Sequence, residues 1–260
     1  MVRGRSNLKT NAAESSEDLL NRLNKKTEEL ERSNRELEQF AYVASHDLQE
    51  PLRKIIAFGS RLKEVRSSAL GDRGNEYLDR MMVSADRMQR LVEDLLRCSR
   101  VEKEAKPFEE VNLEGLIYEV LTDLEIEIKK SGAKIEVGEL PALHADPVQM
   151  RELFQNLVSN AVKFRKAGVL PRVKISGRPA PEEEGIEITV ADNGIGFDEK
   201  YADRIFRPFQ RLHSRDEFEG SGVGLTICTK IVERHGGRIT AKSKPGEGAA
   251  FVITFPTDRS

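Results

Sequence analysis

The sequence predicts an all-α helical hairpin with an N-terminal coiled coil, followed by an α+β sandwich domain. Two observations support this fold class. A seven-residue apolar repeat runs through the first hundred residues. From about residue 113, helix-like and strand-like segments are mixed without a regular βαβ repeat. We therefore expect a flexible N-terminus at 1–18, a helical region at 19–104, a linker at 105–112 and a second domain at 113–260.

The charge balance excludes binding that is driven by a global electrostatic field. The 260 residues include 42 Lys and Arg against 44 Asp and Glu, so neither nucleic acid nor an anionic membrane is an expected partner. No apolar run approaches the roughly 18 residues of a membrane span, and the N-terminus lacks the apolar stretch of a signal peptide. Cys98 and Cys228 match no disulfide framework and no zinc-ligand spacing. We expect a cytoplasmic protein with no membrane segment in this chain.

Two interleaved series in the first helix form the a and d positions of a coiled coil. One is Leu23, Leu30, Leu37 and Ala44, and the other is Leu20, Thr27, Asn34 and Ala41. A lone amphipathic helix can show this pattern, but its persistence over several heptads favours a partner helix. Asn34 on the seam favours a parallel two-stranded state. The pattern predicts a homodimer.

The first helix is expected to return as a hairpin. Its seam continues through Leu48, Ile55 and Leu62 and stops at residues 66–76, a glycine-containing segment that predicts a turn. A second helix is expected at 75–101, and two such hairpins would form a four-helix bundle. Its apolar positions again keep a seven-residue spacing, in the series Leu78, Ala85, Val92 and the series Met81, Met88, Leu95.

His46 is the first candidate for chemistry. It falls at heptad position f, the position farthest from the seam, so the helix presents it to water. An exposed histidine often has no function, but here Asp47 follows directly and can accept or orient the proton of one ring nitrogen. Pro51 removes the helical hydrogen bond to the carbonyl of Asp47 and favours a bend there. These neighbours favour an accessible, nucleophilic imidazole.

A second constellation lies in the segment RELFQNLVSNAVKF, which contains Glu152 and Phe164. Spacings of four and three residues place Asn156, Asn160 and Lys163 on one helical face. Amide oxygens can bind a hard cation such as Mg²⁺, and a lysine offers a point charge for phosphate. A solvated polar stripe is the alternative interpretation of this pattern.

Three glycine motifs follow: DNGIGF at 192–197, EGSGVGLTI at 219–227 and PGEGAAF at 245–251. Each motif alone could serve a turn. The second opens a helix and offers backbone N–H groups to an anion, but it has no Gly-Lys-Ser/Thr and follows no strand, so it is neither a Walker loop nor a Rossmann fingerprint. Asp192 ends an apolar strand, where it could accept from an exocyclic amine of adenine or simply begin a turn.

In this order, the motifs resemble the transmitter region of sensor histidine kinases. The wording SHDLQEPLRKI and FRPFQRLH is similar to the phytochrome-like branch, and the resemblance covers about residues 20 to 256. It implies a dimerisation and histidine-phosphotransfer hairpin followed by an ATP-binding domain of the Bergerat type. It also implies an ATP-dependent kinase that phosphorylates His46 and passes the phosphoryl group to an aspartate of a response-regulator receiver domain.

The resemblance implies roles for individual residues. In the hairpin, His46 is the phospho-acceptor, Asp47 is its general base and Glu50 is the third residue of the catalytic set. Asn160 is implied as the Mg²⁺ ligand with Asn156 beside it. The remaining ATP-binding residues are Lys163 at phosphate, Phe164 on the purine, Asp192 at the adenine amine, Gly194 and Gly196 for close approach, Gly222 and Gly224 at the phosphates, and Arg211 on a lid that also contains Phe206 and Phe209.

Two residues depart from the family pattern. Ala249 replaces a common Thr after the third glycine box, which would loosen one hydrogen bond in the nucleotide site. Glu50 stands where many members have Thr or Asn, and this predicts weak phosphatase activity unless Arg53 or Mg²⁺ neutralises it.

The remaining histidines, His144, His213 and His235, are expected to be structural, His235 as a favourable cation at a helix C-terminus. Two alternatives to the kinase remain: a dimeric scaffold that binds nucleotide without phosphoryl transfer, and a gyrase-like ATPase that does not need His46.

Overall fold

The computed structural model describes residues 3–103, 105–180, 185–212, 217–218 and 220–256. Within the first helix, side chains are described at 25–27, 45, 47–64, 70–98 and 101. The backbone of His46 is therefore described without its side chain, the side chains of most of the predicted coiled coil lie outside this part, and His213 lies outside the described residues.

One helical element, α1, spans Arg3–Lys103 and reverses direction within this range. Lys63 Nζ lies 2.7 Å from Asp79 Oδ1, although 16 residues of straight helix would separate their backbones by about 24 Å. Between them, Gly71 has a φ of 63°, a left-handed conformation that glycine adopts without strain. The predicted hairpin is thus confirmed, but the turn expected across 66–76 is a bend within one helical element, because only one residue needs to leave the right-handed region.

Residues 3–18, expected as a flexible N-terminus, also belong to α1. This segment contains Ala12, Ala13 and Glu14, which favour helix, and it has no proline. The helix therefore extends upstream of the heptad repeat, where the apolar pattern gave no signal. No described helix is both long and apolar enough to cross a membrane.

The hairpin buries one apolar series and exposes the other. Leu52 of the first arm packs with Val92 and Leu96 of the second, and Leu78 and Ala85 are also buried. The other series lies on the surface of the single chain. Burying these apolar side chains against a partner would be favourable. The exposed series comprises Leu48, Ile55, Leu62, Met81 and Met88, each at least 44% exposed.

The second domain contains seven strands and four α-helices among its described residues. In chain order these are β1 (Glu109–Asn112), α2 (Leu113–Asp123), α3 (Glu125–Ser131), β2 (Lys134–Val137), β3 (Ala142–Ala145), α4 (Pro147–Lys163), β4 (Arg172–Pro179), β5 (Gly185–Asp192), α5 (Gly224–Arg234), β6 (Arg238–Lys244) and β7 (Gly248–Pro256). A short 3-10 turn lies at Glu199–Tyr201.

The strands form two sheets. Five strands pair in the order β2-β4-β5-β7-β6, in which only β2 and β4 run parallel. Long antiparallel pairs join β5 to both neighbours, with Ile188 opposite Ile253. Helices α4 and α5 cover one face of this sheet, and Phe154 of α4 is fully buried in the shared core. The α+β sandwich expected from the sequence is therefore confirmed.

A small antiparallel sheet of β1 and β3 was not predicted. Each strand has four residues, so alternation of apolar and polar positions is too short to see. β1 takes up the second half of the segment expected as a linker at 105–112. The helix-like segment 111–132 forms two helices, because α2 ends at Asp123 and α3 begins at Glu125.

Five residues fasten the chain between the hairpin and the second domain, and we call them the junction clamp: Lys106, Phe108, Asp146, Arg234 and His235. The side chain of Asp146 is fully buried and accepts from Lys106 N at 2.6 Å and from Arg234 Nη1 at 3.3 Å through the same oxygen. The Arg234 guanidinium lies over the ring of Phe108 at 4.7 Å. This clamp fixes where α1 leaves the second domain.

His235 has the expected structural role but not the expected charge. Its Nε2 accepts from Asp146 N at 3.1 Å, and its Nδ1 lies 2.7 Å from Ile231 O. An imidazole that accepts at Nε2 and donates from Nδ1 is neutral. Its ring stacks on Phe108 at 4.5 Å. The neutral ring thus follows from its two hydrogen bonds and its burial, which outweigh the attraction of the helix C-terminus for a cation.

Candidate functional site: a cavity between the hairpin and the sheet

A cavity of about 300 Å³ lies where α1 meets the second domain. Its walls come from α1, from α4, from the end of β5 and the loop after it, from the glycine-rich segment before α5, and from β7. Nine of the ten residues predicted to bind ATP line it: Asn156, Asn160, Lys163, Phe164, Asp192, Gly196, Arg211, Gly222 and Gly224. Residues far apart in sequence therefore meet at one cavity.

α4 supplies the polar wall of the cavity. Asp146 caps this helix by accepting from Val148 N and Gln149 N, and Pro147 occupies its first turn. Its apolar face is buried, so Asn156, Asn160 and Lys163 are left on the side that faces the cavity. Asn156 Nδ2 donates to Glu152 O at 2.9 Å, which directs its amide oxygen away from the helix backbone.

Asp192 is the last residue of β5 and lines the cavity. Its Oδ1 accepts from Gly194 N at 2.7 Å and from Ala249 N at 3.3 Å. Burial raises the pKa of this carboxyl, and the two backbone hydrogen bonds partly oppose that rise. Because both bonds use Oδ1, Oδ2 is the oxygen that can accept from a ligand. Ala249 thus contributes through its backbone N–H, and this contribution does not need the hydroxyl of the threonine that is common at this position.

Gly194 and Gly196 are required by close backbone approach. A Cβ on Gly194 would clash with Phe164 O, and one on Gly196 would clash with Lys244 O. Gly196 also has a φ of 61°. Gly194 does not line the cavity, but its N–H positions Asp192 as described above. These glycines pack the DNGIGF loop against the end of α4, where Ile195 N donates to Phe164 O at 2.9 Å.

The loop before α5 passes equally close to α4. A Cβ on Gly224 would lie 2.8 Å from Asn156 Oδ1, and one on Gly220 would lie 2.6 Å from Lys163 Nζ. Gly222, with a φ of 81°, accepts through its carbonyl from Phe209 N. The polar row of α4 and the glycine loop therefore face each other across a narrow gap, which suits a chain of phosphates.

The lid residues have partners that sequence patterns did not reveal. Arg211 donates to Gly220 O at 2.6 Å and to Phe218 O at 2.5 Å, so it holds the lid backbone as well as lining the cavity. The ring of Phe164 packs on Phe218 at 5.0 Å, and Lys163 Nζ lies 4.6 Å from the Phe164 centroid. Phe209 is half exposed with a φ of 61°, a strained conformation for a residue with a side chain.

His46, Asp47 and Glu50 lie on α1, and Asp47 and Glu50 are not among the described residues that line the cavity. Leu52 packs with Val92 and Leu96. His46 precedes Leu52 by six residues in an antiparallel arm, so its backbone is level with about residues 98–102, where α1 enters the second domain. Asp47 and Glu50 are exposed. Glu50 Oε1 lies 2.7 Å from Lys54 Nζ, and both side chains are more than 60% exposed, so water screens this ion pair.

Among the cavity residues that sequence patterns missed, Asp94 and Arg97 belong to the hairpin. Both line the cavity, and Arg97 Nη2 donates to Glu152 Oε1 at 2.8 Å. Cys98 and Val101 are buried in the core of the second domain, and Gln149 Nε2 donates to Val101 O.

The residues present fit ATP with a hard cation. Among the described residues, no cluster of three or more His, Cys, Asp or Glu could hold a metal ion. The amide oxygens of Asn156 and Asn160 are suitable ligands, and Mg²⁺ commonly combines one or two protein ligands with phosphate oxygens and water. Side chains at Gly220 or Gly224 would fill the space between the glycine loop and α4. Because these residues are glycines, that space remains open for phosphates.

Two family models match the chain in the order that the motifs predict. The His Kinase A (phospho-acceptor) domain matches residues 36–104. The histidine kinase-, DNA gyrase B-, and HSP90-like ATPase matches residues 145–259. The chain therefore belongs to the sensor histidine kinases, as a transmitter region in which a phospho-acceptor hairpin precedes an ATPase domain.

Individual proteins agree with this assignment. The chain is 41% identical over 227 residues to the phytochrome-like protein Cph1 of Synechocystis sp., which is 87% of this chain and 30% of that protein. It is 43% identical over 228 residues to cyanobacterial phytochrome A of Nostoc sp., covering 88% of this chain and 29% of the relative. The chain thus spans about 30% of the length of these relatives.

Among solved structures, full-length ShkA in complex with AMPPNP aligns with 85% of this chain and 46% of its own, with a TM-score of 0.62 and 26% identity.

Proposed function

We propose that this chain is an ATP-dependent protein-histidine kinase that phosphorylates His46 and transfers the phosphoryl group to an aspartate of a response-regulator receiver domain. The observation that best supports this is the composition of the cavity. One wall holds the amide and lysine row of α4, and another holds Asp94 and Arg97 of the phospho-acceptor hairpin. A site for hydrolysis alone has no need of a hairpin wall.

Binding of ATP follows from the two ends of the cavity. Asp192 Oδ2 accepts from the adenine amine, while Gly194 and Ala249 hold the other carboxylate oxygen. The triphosphate runs along the glycine loop toward Asn156 and Asn160, and Lys163 adds positive charge beside it. Phe164 and Phe218, which pack on each other, shield the adenine end from water. The γ-phosphate then lies toward the hairpin.

Mg²⁺, when bound through Asn160 with Asn156 beside it, neutralises charge on the phosphate oxygens. The transfer step forms a bond between an imidazole nitrogen of His46 and the γ-phosphorus. The bond between that phosphorus and the bridging oxygen breaks, and the electron pair leaves with ADP. Asp47 takes the ring proton. Positioning and charge neutralisation, more than covalent help from the protein, lower the barrier of such a step.

A homodimer is the second part of the proposal. The exposed face that contains Leu48, Ile55 and Leu62 is the continuation of the coiled-coil seam. Met81 and Met88 of the second arm extend it. A second hairpin would cover this face and complete a four-helix bundle. The receiver domain and a cytoplasmic location follow from the kinase function proposed.

The experiment compares labelled phosphate incorporation from γ-labelled ATP in the parent, His46→Gln and His144→Gln. His144 is a suitable control because it is exposed on β3 and does not line the cavity. We expect acid-labile, alkali-stable phosphoprotein in the parent and in His144→Gln, and none in His46→Gln. Free phosphate without phosphoprotein would favour a gyrase-like ATPase, and nucleotide binding without either product would favour a scaffold.

A further inference from the structure

A cation from the hairpin stands at one end of the nucleotide cavity. Arg97 of the second arm lines the cavity together with Asn156, Asn160 and Lys163. It is held there by Glu152, whose Oε1 accepts from Arg97 Nη2 at 2.8 Å. Asp94, one turn before Arg97, lies 3.9 Å from Nη1 and also lines the cavity. Arg97 is therefore a fixed part of the site although it belongs to the other domain.

The position of Arg97 does not depend on this ion pair alone. Cys98 and Val101, which follow it on α1, are buried in the core of the second domain. Gln149 Nε2 donates to Val101 O. This packing holds the Arg97 backbone against α4, beside the cavity.

The end of the cavity that Arg97 occupies is the end where the terminal phosphate is expected. Asp192 marks the adenine end, and the polar row of α4 runs from Lys163 through Asn160 and Asn156 toward Glu152. Arg97 stands one helical turn beyond Asn156 along this row. The backbone of His46 is level with about residues 98–102, so Arg97 lies about one helical turn from the level of the acceptor.

We propose that Arg97 is a catalytic residue of the kinase, which donates to the γ-phosphate of ATP and neutralises its charge during transfer. The role of Arg97 in phosphoryl transfer rests on the proposed kinase function. Its contact with the γ-phosphate requires only that the cavity binds ATP. A guanidinium has five N–H donors, and Glu152 uses one of them. Bidentate donation to phosphate is the chemistry to which arginine is best suited. In GTPases, an arginine that contacts the transferred phosphoryl group accelerates the reaction by stabilising the charge of the transition state.

The test uses the full chain with Arg97→Gln, Arg97→Lys and the control Arg90→Gln. Arg90 is exposed on the same arm, seven residues earlier and thus on the same helical face, and it does not line the cavity. Dissociation constants are measured for ADP and for a non-hydrolysable ATP analogue. Arg97→Gln should raise the dissociation constant of the ATP analogue by about tenfold and change that of ADP by no more than about twofold. Arg90→Gln should change neither.

The rate of phosphoryl incorporation at saturating ATP is measured with the same variants. Arg97→Gln should lower it by at least about tenfold, and Arg97→Lys should recover part of the loss because it keeps the charge but not the fork. Equal weakening of both nucleotides, an unchanged rate or a higher rate would overturn the proposal, since a structural strut or an inhibitory latch would then explain Arg97. A parent that discriminates the nucleotides but never phosphorylates His46 would refute the kinase function and leave the binding result standing.

Discussion

Replacing Asp146 removes the centre of the junction clamp. Its carboxylate is fully buried. Oδ1 accepts from Val148 N and Gln149 N at 3.0 and 3.2 Å, and Oδ2 accepts from Lys106 N and Arg234 Nη1. In Asp146→Asn, an amide can satisfy only one of these two sides, because its nitrogen would face N–H donors on the other. Neither orientation of the amide restores the clamp.

The size of the effect follows from the groups left without a partner. Loss of a helix cap destabilises by about 0.5 to 2 kcal/mol, and removal of one member of a buried ion pair by about 3 to 5 kcal/mol. Arg234 remains 21% exposed and keeps Gln149 Oε1 and Lys106 O as acceptors, so the lower part of the second range applies. We expect Asp146→Asn to lower the free energy of unfolding by about 2 to 4 kcal/mol and Asp146→Ala by about 3 to 5 kcal/mol.

Urea unfolding of the full chain measures these values, with Asp198→Asn as the control. Asp198 caps the 3-10 turn at Glu199–Tyr201 and pairs with Lys200, but its side chain is 46% exposed. Its replacement should change stability by less than about 1 kcal/mol. If Asp146→Asn were also within 1 kcal/mol of the parent, the clamp would not hold the junction and the reasoning from buried partners would be refuted.

Three further predictions concern the site and the hairpin. Because burial raises the pKa of Asp192, this carboxyl contributes stability below its unfolded pKa and loses that contribution as the pH rises through its folded pKa. Asp192→Asn should therefore abolish nucleotide binding yet raise Tm at pH 7, with a difference that shrinks toward pH 4 in a thermal unfolding series; a lower Tm throughout would contradict this. Glu50, whose ion pair with Lys54 is well exposed, should repel an aspartyl phosphate, so Glu50→Thr and Glu50→Gln should increase dephosphorylation of the regulator; loss in both variants would instead make Glu50 the working phosphatase residue. Deletion of residues 1–40 should weaken dimerisation in sedimentation experiments while ADP binding stays unchanged, and an unchanged dimer affinity would refute the coiled-coil seam.

The parts of the fold that could be predicted from the sequence are those with long periodic patterns. The heptads of α1 identified the hairpin, and the series that begins at Leu78 is indeed buried. The polar face of α4 was visible because Asn156, Asn160 and Lys163 interrupt an apolar helix at regular spacing. Short elements such as β1 and β3 have too few residues to show a period.

The parts that could not be predicted depend on contacts between distant residues. Arg97 belongs to the hairpin, whereas most of the other cavity residues belong to the second domain, and no local pattern connects them. The same holds for Arg211, which donates to the lid backbone. The neutral state of His235 likewise follows from Asp146, which lies 89 residues away.

The position of the transferred phosphoryl group tests the central claim most directly. The full chain is incubated with Mg²⁺ and ATP at neutral pH, digested under alkaline conditions and mapped by tandem mass spectrometry. We predict phosphate on the imidazole of His46, in a peptide that contains the segment SHDLQEPLRK. Phosphate on any other residue, or release of free phosphate while His46 remains unmodified, would contradict the assignment of the hairpin as the phospho-acceptor.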